Sequence, residues 1–108
     1  METKKCFGLT DADIAYIVSI IDDFPEIKKA AIFGSRAKGN YKPGSDVDIA
    51  VYGEDISLTT LARLHYRLEE ESPLPYFFDI VDYTHLKHQP LKEHIERVGK
   101  VIFERGQA

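Results

Sequence analysis

The sequence predicts an α+β domain, on three observations. Short runs rich in apolar, aromatic or β-branched residues fall at 27–33, 45–52, 76–81 and 101–103, bounded mostly by Gly, Pro or charged residues, as strands are. Around them lie apolar residues at helical spacing: Ile14, Ile17, Val18 and Ile21; Leu58, Leu61, Leu64 and Leu68; Leu91, Ile95 and Val98. The 108 residues, 44% hydrophobic and 30% charged, suffice for one modest core and not for two. A single domain over 1–108 is therefore expected.

Each element has a local reason. Thr10 and Asp13 have the spacing of a capping box, with Asp in place of the usual Glu, and Leu9 and Ile14 occupy staple positions. The first helix starts there and ends before Pro25, because proline disfavours helical backbone in the residue before it. Asp22 and Asp23 at its end read as solvated. Ala30-Ala31-Ile32-Phe33 is continuously apolar and predicts a strand buried on both faces. Gly34-Ser35 breaks it, 36–41 reads as a short helix, and Lys42-Pro43-Gly44 as a turn. On the next strand Val47, Ile49 and Val51 share one face; Asp46, Asp48 and Ala50 share the other. Ser57 caps a helix reaching about residue 71, and Glu69-Glu70-Glu71 reads as its solvated end. In Tyr76-Phe77-Phe78-Asp79-Ile80-Val81 an acid interrupts an apolar strand, which is costly unless the acid is paired or bound to metal. Pro90 suits the first position of a last helix, which Gly99 ends, and 101–103 form a final strand.

Composition narrows the function. A net charge of −4 argues against a nucleic-acid binder. No apolar run approaches the roughly 20 residues that span a bilayer, and the N-terminus has no apolar leader-like core, so a cytoplasmic protein is expected. Cys6, the single cysteine, has no partner for an internal disulfide and reads as incidental.

Chemistry concentrates in 34–48. Asp46 and Asp48, two apart on a strand, project from one face with Cα atoms about 6–7 Å apart. That suits carboxylates converging on cations roughly 3.5–4 Å apart. With no His or Cys pattern beside them, they favour hard ions, Mg²⁺ first and Mn²⁺ second. Asp79 completes the cluster if its strand is the neighbour. Gly34 and Ser35 precede a helix, whose first N–H groups suit a phosphate, with Arg36, Lys38 and Lys42 to neutralise charge. Phosphate at one end and metal at the other make a nucleoside triphosphate site for in-line phosphoryl or nucleotidyl transfer.

Gly-Ser, ten intervening residues, Asp-x-Asp opening an apolar strand and a later Asp within another is the pattern of the nucleotidyltransferase superfamily that includes DNA polymerase beta. The string from Gly34 to Val51 closely resembles the minimal nucleotidyltransferase family, and the resemblance extends over about residues 10–105. It implies a polymerase beta palm-like fold, a mixed sheet of about four strands with helices packed against it. It implies Asp46, Asp48 and Asp79 as catalytic metal ligands holding two Mg²⁺ ions, Gly34 and Ser35 as triphosphate contacts, and Arg36 lining the nucleotide site. Family members of this length are often encoded beside a helical HEPN protein, act as antitoxins, and some transfer AMP from ATP to a tyrosine of that toxin. A helical acceptor domain like that of aminoglycoside nucleotidyltransferases is missing from this pattern, so the acceptor surface is expected from a partner in a homo- or hetero-oligomer. The alternatives are a module that neutralises a toxin by binding alone, and a transferase acting on a small molecule. His85, His88 and His94 read as surface or partner residues, Asp82 as lying on the other face from Asp79, and Tyr41 as packing the loop.

Overall fold

The computed structural model describes residues 5–42 and 44–106. The leader-like core looked for at the N-terminus concerns 1–4, outside the described residues, as are Pro43 of the predicted turn and the side chain of Cys6.

Six strands and four helices follow one another: β1 (Lys5–Cys6), β2 (Leu9–Thr10), α1 (Asp11–Asp22), β3 (Lys29–Phe33), α2 (Gly34–Lys38), β4 (Val47–Tyr52), α3 (Leu58–Glu69), β5 (Phe78–Asp82), α4 (Gln89–Val98) and β6 (Lys100–Glu104). The main sheet has the order β5-β4-β3-β6. β3 pairs antiparallel with β4 and β6, and β4 pairs parallel with β5. The expected mixed sheet of about four strands is present. The parallel pair needs a crossover, which α3 supplies.

Alternation along the strands splits the core. Ala30 and Ile32 of β3 and Val47, Ile49 and Val51 of β4 face α1 and α3, where Ile17, Ile21, Leu64 and Leu68 fill the larger cluster. Phe33 and Ala50 face the other way and meet Ile95 of α4. Ala30 to Phe33 are therefore all buried, as a strand covered on both faces requires. Asp48 is on Ala50's face, the face α4 covers only in part.

Three of the four helix starts, those of α1, α3 and α4, follow side-chain caps. Thr10 Oγ1 accepts from Asp13 N at 3.0 Å and Asp13 Oδ2 from Thr10 N at 3.2 Å, the predicted capping box. Ser57 and Thr60 form a second one at α3. At α4 the ring of His88 caps, accepting from Leu91 N at 3.2 Å, and Pro90 sits one residue inside the helix start.

Three features differ from the sequence expectation. The β1–β2 hairpin was not expected: two-residue strands carry no periodicity to read. Its Phe7-Gly8 turn holds both residues at positive φ, 62° and 75°, the twist tight hairpins favour. The short helix starts at Gly34, two residues early, because Phe33 is already its N-cap. Glu69 is not solvated like Glu70 and Glu71: its Oε2 accepts from Phe78 N at 2.7 Å and pairs with His65 Nε2 at 2.9 Å, tying α3 to the start of β5. Asp22 and Asp23 are exposed, as expected, and pair with Arg105 and Arg67.

Candidate active site

The acids gather at one end of the sheet face that α4 partly covers. Asp48 of β4 stands directly opposite Asp79 of β5 in the parallel register, on strands about 4.8 Å apart. Asp46 leaves the chain just before β4, two residues from Asp48 and so towards the same side. The electrostatics show the same grouping. Burial pushes the Asp48 carboxyl up to about 6 from its ordinary 3.8, and the charges of Asp79 and then Asp46 push in the same direction. Arg36 opposes them.

The cluster is open. Among the described residues no three acid, His or Cys side chains close on one point as a complete metal cage. Asp46 and Asp79 are exposed and Asp48 half-buried. Mutually repelling carboxylates with open positions fit a hard divalent ion, and Mg²⁺ in particular uses one or two carboxylates and completes its shell with water and substrate phosphate.

Gly34 joins the acids to the phosphate end. Its φ is +76°, and a Cβ there would collide with Asp48 Oδ2. Only glycine suits the position, on both counts. It opens α2, whose first-turn N–H groups have no intrahelical partner and receive no side-chain cap from Phe33. Ser35 follows, half-buried, in the same turn. These free donors start beside the Asp48 carboxylate, which is where a triphosphate bridged to metal needs them.

Arg36, expected to line the nucleotide site, is near enough to act on the Asp48 charge, while its guanidinium is bonded to main chain. Its side chain is buried, 4% exposed, and is turned into the protein. Nε and Nη2 donate to the Ser45 carbonyl at 3.2 and 2.7 Å, and Nη1 donates to the Phe7 carbonyl at 2.8 Å. The guanidinium lies 5.2 Å from the ring centres of both Tyr41 and Tyr76. Main-chain carbonyls of two loops outcompete the solvated position that the residue type suggested. Tyr41, expected to pack the loop, is exposed, with its ring beside the Arg36 guanidinium.

The other side readings follow the register. Asp82 is opposite Val51 on the far face, bound to His85 Nδ1 at 2.7 Å. His88 caps α4, His65 serves Glu69, and His94 meets the Phe33 ring edge-on at 6.1 Å. Ser45, Tyr76 and Glu69 support the site and were not legible as such; their partners lie 9 to 63 residues away in the chain.

An open acid cluster beside a helix start, on a β-sheet of this topology, has the parts that nucleotidyl transfer uses. The polymerase beta nucleotidyltransferase family model matches residues 9–108, and the chain belongs to that family. Its members use a nucleotide substrate and a divalent metal. A Haemophilus influenzae relative named as a probable protein adenylyltransferase, MntA, is 34% identical over 96 residues, covering 86% of this chain and 81% of the relative. A Methanocaldococcus jannaschii protein, MJ0435, is 44% identical over 70 residues, covering 64% of this chain and 72% of that one. A crystal structure described as a toxin–antitoxin with AMP-PNP superposes with a TM-score of 0.74 at 25% identity, covering 88% of this chain and 76% of that one. No helix among the described residues is long and apolar enough to cross a membrane.

Proposed function

We propose that this chain is a minimal nucleotidyltransferase domain that transfers AMP from ATP to a hydroxyl of a protein, a HEPN-type helical toxin for which it is the antitoxin. The observation that carries the chemistry is the Asp48–Asp79 register pair with Gly34 against Asp48. The name of the Haemophilus relative and the toxin–antitoxin structure with AMP-PNP support the donor and the class of acceptor.

Asp46, Asp48 and Asp79 would hold Mg²⁺, two ions in the full complex, with Mn²⁺ able to substitute. When bound, the metal would supply charge neutralisation for the transferring phosphate. The free N–H groups at Gly34 and Ser35 hold the β- and γ-phosphates. The acceptor oxygen forms a bond to the α-phosphorus as the bond to the bridging oxygen of pyrophosphate breaks, and the hydroxyl proton goes to a carboxylate, Asp79 being the one on the acceptor side. In-line displacement puts that acceptor opposite Ser35, across the β5 edge, where Phe77 is 70% exposed.

Incubation with labelled ATP, Mg²⁺ and the helical protein encoded beside this chain tests the reading. Label on the partner is expected. Folded components that give no label with any of the four nucleoside triphosphates would sink it.

A further inference from the structure

The stretch 34–48 holds two functional ends, the donors at Gly34–Ser35 and the acids at Asp46–Asp48. Between them run Lys38 to Lys42 and Gly44, all exposed. The β3–β4 ladder pairs Phe33 with Asp48 and so holds that acid, but a solvated loop of this kind would by itself leave Ser45 and Asp46, just before β4, poorly placed against the phosphate end. Two devices restrain it. One is local: Ser45 Oγ accepts from Lys42 N at 2.9 Å, and Ser45 N donates to Lys42 O at 2.9 Å. The other is Arg36, which reaches across the loop from α2 to the Ser45 carbonyl with two of its N–H groups.

We infer that Arg36 is a positioning residue: it fixes the Ser45 carbonyl, and thereby the point from which Asp46 enters the site beside the ladder-held Asp48, relative to the phosphate end on its own helix. The surroundings hold Arg36 in turn. The rings of Tyr41 and Tyr76 each lie 5.2 Å from the guanidinium carbon, and the Phe7 carbonyl, in a turn whose neighbour Gly8 has no room for a Cβ beside Arg36 Nη1 (2.7 Å), takes a third hydrogen bond. Tyr76 OH donates to Asp13 Oδ2 at 2.9 Å, the same oxygen that closes the α1 capping box. The β1–β2 hairpin, the α1 start and the segment before β5 therefore all bear on one guanidinium. The planar fork is needed. A lysine ammonium keeps the charge but lacks the planar fork that gives two N–H groups to the Ser45 carbonyl and a third to the Phe7 carbonyl.

The test uses the full chain with Arg36→Lys and, as a second variant at an exposed position, Tyr41→Leu. Amide hydrogen exchange is followed at 44–48, and kcat and KM for ATP are measured with the protein acceptor. This inference rests on the proposed transfer reaction only for its kinetic arm, so failure of that reaction is seen separately in the wild type. For Arg36→Lys, exchange at 44–48 is expected to speed by at least tenfold, with kcat falling about 10²-fold, as misplaced reacting groups do, and KM for ATP changing less than about threefold. Tyr41→Leu is expected to move exchange in the same direction by a smaller factor. A tenfold rise in KM for ATP with unchanged exchange and kcat in Arg36→Lys would make Arg36 a phosphate contact and overturn the inference. Wild-type exchange at 44–48 in both variants would overturn it too.

Discussion

Asp48→Asn separates function from stability and does so with a sign the structure fixes. Folding moves the Asp48 carboxyl from its ordinary 3.8 to about 6, first through burial and then through the charges of Asp79 and Asp46. Between those values the folded state holds a proton that the unfolded state has released. Stability therefore falls as pH rises from about 4 to about 6, and the whole deficit is present at pH 7. At roughly 1.4 kcal/mol per pH unit this is at most about 3 kcal/mol, and the solvent contact that Asp48 keeps screens it to about 1–2 kcal/mol. Asparagine has the shape of the carboxyl without the charge. In EDTA at pH 7, Asp48→Asn should raise the stability by that amount, about 5–10 °C in Tm for a domain of this size. At pH 3.5 the two proteins should converge. Mg²⁺ should stabilise the wild type and leave the variant nearly unmoved, because the charge it relieves is gone. Urea unfolding at both pH values, with and without Mg²⁺, reads all of this. A variant equal to or less stable than the wild type at pH 7 without metal would refute the reasoning.

Other expectations come from the same geometry. Gly34→Ala puts a Cβ into the Asp48 carboxylate at a φ of +76°, and should cost about 2 kcal/mol or more in urea unfolding and abolish transfer. Glu69→Ala leaves Phe78 N without its acceptor beside Asp79; denaturation should show a loss of about 1–3 kcal/mol, and the transfer assay a lower kcat. Ile95→Ala opens the small cluster where α4 meets Phe33 and Ala50, and thermal unfolding should show a loss of about 2–4 kcal/mol. Phe77→Ala, at the exposed edge beside Asp79, should raise KM for the protein acceptor about tenfold and leave KM for ATP unchanged.

The parts of this fold that follow a local rule were legible in the sequence. The face partition of β4 follows from period-two alternation, the α1 start from one capping box, and the burial of Ala30 to Phe33 from an unbroken apolar run. The apolar run drew attention to Asp79, and the register does set it opposite Asp48, but the carboxyl is exposed, so the cost of burying a charge in that strand does not arise. What escaped depends on contacts between distant segments. The chain gives no sign that Arg36 turns inward, since its partners Phe7, Ser45 and Tyr76 lie 29 residues before it and 9 and 40 after it. An arginine beside a glycine-serine pair reads as a phosphate ligand until the packing of its side chain is known. The hairpin at Lys5–Thr10 was missed for a related reason: two-residue strands are held by a turn and by what they pack on, and neither is a pattern in the sequence. Glu69 had two exposed acidic neighbours, and only the path of β5 past the end of α3 distinguishes it from them.

The organisation of 34–48 accounts for the division of labour in the molecule. Gly34 brings the start of α2 against Asp48, β5 brings Asp79 alongside Asp48, and β5 is the end strand of the sheet, where the proposed acceptor would dock. The measurement that bears most directly on this is the intact mass of the proposed HEPN-type partner after incubation with ATP and Mg²⁺, with the wild-type chain and with Asp48→Asn side by side. The account predicts a gain of one or more AMP groups with the wild type, and none with the variant or in EDTA. An unmodified partner with folded wild-type chain, or equal modification by Asp48→Asn, would contradict it.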